Sequence, residues 1–404
     1  MDRRRFLHGA AALTILPLGT AGAEPPNDIR YAADFDELWS TLDARFCFFA
    51  DKRTDWRAVR ALYRPMALAA ETDDAFGEVV RRVLAELYDT HTHLSDPADG
   101  TPRWPPYDLL MERRGDTAVV VATKDDSAAS LAEVRTGDVI AAVDGVPVER
   151  AAQALRPRCL RGADPAADAH ALNTAVAGRR GLARRLTVAS GGAPPRDVAL
   201  PLHTRARQED VSWRRLDGGL GLIAIRSFAD DAAATAFDRA LLELRDCAGL
   251  ILDVRDNGGG DTAVARPIMG RFITATKPYA TMRRRQGAGL GGFWTEFVEP
   301  AGPFTYTQPV VVLTNRWSGS MAEGFPMGMR AIGRATIVGT PMMGLGAAVI
   351  PIRLDRTGIA AQYSAEPVYD PQHWPRWLMR PDVAVRDGDD ILAAGVRTLR
   401  ARLG

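Results

Sequence analysis

Three short stretches of this chain carry groups that could transfer an acyl group. Gly319-Ser320-Met321-Ala322-Glu323 sets a serine hydroxyl at the junction between an apolar run, Pro309 to Thr314, and a helix start. A hydroxyl there lies beside helix N-terminal backbone N–H groups, which stabilise a developing oxyanion. A second apolar run begins at Gly249 and closes on Asp256-Asn257-Gly258-Gly259-Gly260. One glycine suffices for a tight turn, whereas three in succession let backbone N–H groups approach a ligand where side chains would obstruct. The third stretch, Asp89-Thr90-His91-Thr92-His93, brings two imidazoles. Histidine is the side chain best suited to proton transfer near neutral pH.

Each stretch has a plainer reading. Ser320 and Glu323 keep the S-x-x-E spacing of a helix capping box. Alternate histidines serve as surface residues or as metal ligands. No third ligand of matching type lies near His91 and His93, so neither a metal nor any other cofactor is expected.

Taken together and in order, the three stretches resemble the C-terminal-processing (tail-specific) serine peptidases, in particular the branch similar to the tricorn protease core. The family's Leu-x-Asp-x-His-Thr segment is matched by Leu87-Tyr88-Asp89-Thr90-His91-Thr92. Its strand ending in Asp-x-Arg-x-Asn-x-Gly-Gly is matched from Asp253 to Gly260, and its nucleophile segment from Gly319 to Glu323. The resemblance implies Ser320 as nucleophile. The Met321 N–H and a glycine of the Gly258 to Gly260 loop, Gly259 ahead of Gly258, would form the oxyanion hole.

The lysine inventory separates the family's branches. In the serine–lysine branch the base follows the nucleophile, at a place where this chain has Leu345 between Gly344 and Gly346. Lys52, Lys124 and Lys277 all precede Ser320. That leaves His91 as general base, since a neutral imidazole can take the serine proton and return it to the leaving amine. The resemblance also implies a hydroxyl beside the base, which Thr90 supplies, and a glutamate before a closing Pro-Asp. The pair Pro381-Asp382 is present, but residues 371 to 380 contain no carboxylate. Glu366 and Asp370 are the nearest acids for the orienting role, and Asp89 is also available.

The N-terminus states where such chemistry would occur. Arg3-Arg4-Arg5-Phe6-Leu7 resembles a twin-arginine export signal, the apolar stretch from Ala10 to Leu18 is too short to span a bilayer, and Ala21-Gly22-Ala23 offers a cleavage site. Residues 1–23 read as the signal, giving an exported, periplasmic protein with no stable membrane insertion. Its removal takes away Asp2, Arg3, Arg4 and Arg5 and moves the formal net charge from +1 to −1. Near-neutrality excludes nucleic acid as the partner indicated by charge. Cys47, Cys159 and Cys247 form no metal motif, and Cys47 and Cys247 read as buried apolar positions.

The elements that must carry these groups divide the remaining chain into three. Residues 24–101 read as an N-terminal helical domain, with Phe35, Leu38, Trp39 and Leu42 at helical spacing and an amphipathic run from about Asp74 to Leu94. Residues 102–204 follow a proline-marked linker and resemble a PDZ domain around Gly137-Asp138 and Asp144-Gly145, with a peptide-binding edge expected near Asp116 to Val121. Residues 205–404 alternate strands and helices, which is the pattern of an α/β layer core. The resemblance implies a crotonase-like or ClpP-like fold for it. A glycine-, arginine- and aromatic-rich region from Tyr279 to Thr305 reads as a loop at the substrate cleft or folded on itself.

The fold class expected is therefore α/β multidomain, with a helical cap, a PDZ-like β-rich domain and an α/β catalytic core. The function expected is an exported serine-type peptidase with peptide or protein substrates. Two alternatives use the same scaffold: a catalytically degenerate protein that binds peptides or apolar ligands, and a small-molecule esterase. Oligomeric state leaves no trace in the sequence.

Overall fold

In the computed structural model, residues 27–203 and 208–404 are described, so the expected export signal lies outside the described residues. The continuous apolar runs of the C-terminal half become strands buried on both faces, which is how parallel strands between two layers read. Successive side chains alternate between those layers. Val310 and Val312 join Leu250, Leu252, Ile223, Ile225 and Ile337 in one core. Val311 and Leu313 join Ile251, Leu220, Leu222 and Val338 in the other. Truncating any one of the fully buried leucines to alanine would cost about 2–5 kcal/mol.

These strands form a six-stranded sheet in the order Val383–Ala384, Ala335–Gly339, Val310–Thr314, Gly249–Asp253, Leu220–Ile225, Val211–Leu216. All neighbours pair in parallel except the last two. Helices Asp231–Glu243, Thr262–Gly270 and Met321–Ala331 contribute to the first core, and Ile391–Arg400 to the second. Because Leu250 to Asp253 run in register beside Val310 to Leu313, the loops leaving both strands emerge side by side. Ligands of open α/β sheets gather at such C-terminal strand ends.

The N-terminal helices Asn27–Arg45, Trp56–Leu68 and Asp73–Ala85 share a core with the antiparallel pair Ala347–Arg353 and Ala360–Tyr369. The third helix ends at Ala85, so the run expected to continue to Leu94 is not helical and His91 lies in a loop. Tyr88 adopts a left-handed backbone (φ 35°), and Asp89 closes a turn by accepting from the Thr92 hydroxyl at 2.6 Å. Beyond it, His93 and Leu94 pair antiparallel with Gln362 and Ala361. The region from Tyr279 to Thr305 is not a single loop either. It contributes strands Lys277–Met282 and Trp294–Val298 to the sheet that holds this hairpin.

A third sheet has the order Leu109–Arg114, Thr117–Thr123, Val139–Val143, Arg184–Ala189, Arg196–Leu200. The edge expected near Asp116 to Val121 falls inside it, and the Leu109–Arg114 strand is the edge. That edge is occupied at its middle. Asn173, on the helix Pro165–Ala177, accepts from the Met111 N–H at 2.8 Å and donates to the Met111 carbonyl at 3.0 Å. All three cysteines are free and buried.

Candidate active site

Ser320 sits where the Val310–Thr314 strand turns into the Met321–Ala331 helix, and that turn is stitched to the glycine loop beside it. Asn315 Oδ1 accepts from the Asp256 and Trp317 N–H groups at 3.0 and 3.1 Å. Ser318 donates its hydroxyl to the Val254 carbonyl at 2.8 Å, and the Gly319 N–H donates to the Asn257 carbonyl at 2.9 Å. Held in this way, Ser320 has φ 54° and ψ −117°. A non-glycine residue at such angles costs roughly 1–3 kcal/mol and persists only where its surroundings over-determine it. Strained strand-to-helix elbows of this kind present nucleophilic serines. The capping-box expectation is corrected here: the Ser320 side chain makes no capping bond, and Glu323 is turned to another use.

The glycine loop touches this elbow. A Cβ on Gly259, whose φ is 109°, would lie 2.7 Å from Ser320 Cβ and 2.9 Å from the Met321 nitrogen, so only glycine fits. The Gly259 N–H donates to Asn257 Oδ1 at 2.7 Å. This corrects the preference for Gly259 as oxyanion donor, because its one N–H is already engaged. Among the described residues, the N–H groups of exposed Gly258 and of Met321, first in its helix, have no hydrogen-bond acceptor. Asp253, at the foot of the loop, is buried and paired at 2.8 Å with both Arg226 and Arg255, whose guanidinium groups hold its carboxyl below the usual range despite burial.

A strap, residues 343–347, runs beside the elbow. The Met343 N–H donates to the Ser318 carbonyl at 3.0 Å, and Leu345 Cδ1 packs 3.2 Å from where a Cβ on Gly319 would stand. At its far end the strap reaches His91 through the Ala347 backbone. Burial pushes the imidazole down to about 4. The Asp89 charge opposes this, Arg376 and His93 add to it, and the Ala347 backbone opposes it weakly. The ring is thus a neutral base at ordinary pH. Among the described residues no hydrogen bond joins His91 to Ser320, and His91 Nδ1 is buried without a partner.

Glu323 and Arg376 hold this strap. Glu323 Oε1 accepts from the Gly344 and Leu345 N–H groups at 2.5 and 3.0 Å, and Arg376 Nη2 donates to the Leu345 carbonyl and, at 3.2 Å, to that of Ala347. The two side chains approach to 3.6 Å. Burial pushes the Glu323 carboxyl up to about 7, against the pull of Arg376 and the two N–H groups.

The other expected site residues lie elsewhere. Thr90 donates its hydroxyl to the Pro105 carbonyl at 2.8 Å, which ties the histidine loop to the linker and leaves no hydrogen bond to the base. Glu366 is paired with Arg284, and Asp370 Oδ1 accepts from the Gln372 and Trp374 N–H groups at 2.9 and 2.8 Å. Both acids are therefore consumed by local structure, and the orienting role expected for them is corrected. His93 stacks on Trp104 at 3.6 Å, with Nδ1 2.8 Å from the Leu94 carbonyl and Nε2 facing the Gln362 amide at 3.1 Å. Those partners require a proton on Nδ1 and a lone pair on Nε2, a structural tautomer. No group of three metal-binding side chains occurs among the described residues, and no helix there is long and apolar enough to cross a membrane.

Sequence reasoning missed Arg376. It shares the segment searched for a carboxylate with Arg380, and neither arginine carries a spacing signal. Sequence reasoning also missed the roles of Asn257 and Ser318, whose side chains donate to the Ile225 and Val254 carbonyls, groups distant in sequence.

The fold is shared with solved structures of low sequence identity. Mature CPAF superimposes with a TM-score of 0.61 at 16% identity, covering 93% of this chain and 96% of that one. The photosystem II D1 C-terminal processing protease does so with a TM-score of 0.56 at 19% identity, covering 94% and 98%. More specifically, residues 219–385 match the model of peptidase family S41 and residues 30–85 that of the tricorn protease C1 domain. Its curated relatives include the carboxy-terminal processing protease CtpB of Bacillus subtilis, 31% identical over 34% of this chain and 28% of that protein. The carboxy-terminal-processing protease of Bartonella bacilliformis is 26% identical over 59% of this chain and 51% of that protein. The chain thus spans about half or less of the length of these two relatives. The chloroplastic C-terminal processing peptidase of Tetradesmus obliquus is 25% identical over 81% and 71%.

Proposed function

We propose that this protein is an exported serine peptidase of the C-terminal-processing kind, acting on peptide or protein substrates through an acyl-enzyme on Ser320 with His91 as general base. One observation carries the reading: the strained Ser320 elbow packs against Gly259 with the Met321 and Gly258 N–H groups unspent, while a neutral buried imidazole feels the backbone of Ala347, on the strap that abuts Gly319.

In this mechanism His91 takes the Ser320 proton as Oγ attacks the scissile carbonyl carbon. The charge that develops on the carbonyl oxygen is met by the N–H groups of Met321 and Gly258. The imidazolium returns the proton to the amine as the C–N bond breaks, leaving an ester on Ser320. Water, deprotonated by the same imidazole, hydrolyses that ester and regenerates the hydroxyl. The proposed organisation is a signal at residues 1–23, a helical region at 24–101, a PDZ-like region at 102–204 and the peptidase core at 205–404. Export through the twin-arginine signal would place the mature chain in the periplasm.

The test is Ser320→Ala in the mature protein. It should abolish both peptide hydrolysis and labelling by a serine-directed phosphonate, and cleavage retained by that variant would overturn the proposal. A second reading has its own support, because no acid orients His91 Nδ1. A scaffold that binds peptides without cutting them would bind tightly yet never react with phosphonate.

A further inference from the structure

Resting on the proposed roles of Ser320 and His91, we propose that Arg376, braced by Glu323, is a positioning residue that sets the imidazole against the serine by fixing the backbone of residues 344–347. Two side chains take up four backbone groups there: the N–H of Gly344, the N–H and carbonyl of Leu345, and the carbonyl of Ala347. Glu323 lies one helical turn beyond Ser320 and is 1% exposed; Arg376 is 5% exposed. Burying two charges is costly unless geometry and hydrogen bonds compensate, so such a pair is a poor means of stabilising a fold. What it does here is hold a segment whose backbone, up to the start of the strand at Ala347, has one bond to the neighbouring strand, from the Val368 N–H to the Gly346 carbonyl at 2.9 Å.

That segment is the mechanical connection between the two halves of the site. On one side Leu345 and Met343 abut Gly319, next to the proposed nucleophile. Gly346 is closed in by Trp377 and Phe48, where an added Cβ would lie 2.5 and 3.2 Å from their rings. At Ala347 the strap meets the imidazole, and Arg376 Nη2 reaches the same residue. The charged and titratable groups facing His91 are Asp89 and His93 from its own loop and Arg376 from across the strap. A lysine cannot reproduce this arrangement. One ammonium on a flexible stem lacks the planar guanidinium, whose Nη2 reaches both carbonyls while its Nε faces Glu323 at 3.6 Å.

The experiment compares Arg376→Met, Arg376→Lys and Glu323→Gln with the unaltered full chain. The readouts are the rate of phosphonate labelling across pH, kcat and KM on a peptide, and the ring nitrogen signals of His91 by NMR. Arg376→Met should slow labelling by about 100-fold with KM changed less than about 3-fold, since misplaced reacting groups cost rate more than binding. Arg376→Lys keeps the charge but should still be slowed about 10-fold above pH 7, where His91 is neutral in either protein. Both variants should broaden or double the His91 signals. Unchanged labelling and a single sharp His91 environment in both would overturn the proposal. If Arg376→Met fails to fold, Arg376→Lys decides the role by the same readouts, with Glu323→Gln, whose amide oxygen still accepts from the Gly344 and Leu345 N–H groups, as the milder control. Should the unaltered protein neither label nor cleave, the peptidase reading fails, and the His91 signals alone decide the positioning role.

Discussion

The carboxamide of Asn257 holds the N–H of Gly259 at 2.7 Å while its own Nδ2 donates to the Ile225 carbonyl at 3.1 Å, so a fully buried side chain shapes the loop that touches Ser320. Asn257→Leu removes both bonds while keeping the branched side-chain shape, and strands two buried backbone groups. A loss of about 2–4 kcal/mol in chemical denaturation is expected.

Gly259→Ala should act on the chemistry as well. Its methyl group would fall 2.7 Å from Ser320 Cβ and 2.8 Å from the Gly319 carbonyl, on a backbone that side chains rarely adopt. Displacing the elbow should reduce phosphonate labelling by about 100-fold or more, comparable to losing an oxyanion donor. Labelling at the unaltered rate would show that the loop and the elbow are not one unit.

The pH dependence follows from burial of His91. The ordinary imidazole value is 6.5 and the folded value about 4, so between those limits the unfolded chain binds the proton more readily. This contribution to stability is complete above pH 6.5 and is lost as pH falls towards 4, by up to about 3 kcal/mol. Comparing urea unfolding of the unaltered protein and His91→Ala at pH 7 and pH 4.5 isolates it. The acid limb of the labelling rate should likewise lie near pH 4 and not near 6.5.

Glu366→Gln and Asp370→Asn should leave labelling within about 3-fold of the unaltered rate, as surface ion pairs and turns contribute little beyond their own neighbourhood. Glu366 serves Arg284, and Asp370 serves the turn to Trp374. A loss of several orders of magnitude in either variant would restore that acid to the catalytic group.

Asn173→Ala addresses the third sheet. Asn173 occupies both polar groups of Met111 on the edge strand, in the place an added peptide strand would use. Its removal should cost about 1–2 kcal/mol and raise the affinity for peptides with a free carboxylate. Fluorescence anisotropy with a labelled peptide measures the change.

Much of the core was legible because burial on both faces leaves an unambiguous mark. The runs at Leu250, Val310 and Thr336 each became a strand within a residue or two of the expected bounds. The His91 loop was not legible as a loop. Apolar residues continue at helical spacing past Ala85, but the backbone turns left-handed at Tyr88 and His93 then pairs with Gln362, a contact 269 positions away. The Ser320 motif fits a cap and an elbow equally well as a string of letters. Only the loop packed against it, through Asn257 and Gly259, makes the backbone take the strained form. The same distance hides Arg376, whose partners Glu323 and Leu345 belong to different elements.

The pairing of His93 and Leu94 with Ala361 and Gln362 has a consequence for how the protein is made. Translation delivers the histidine early, the hydroxyl much later, and the hairpin and Arg376 that align them last of all. Folding proceeds broadly from the N-terminus as domains emerge from the ribosome. If Ser320 and His91 act as proposed, a nascent chain holds both groups before the segment that orders residues 344–347 exists, and products ending short of residue 376 should label far more slowly than the full chain. On that reading, completion of synthesis arms the molecule.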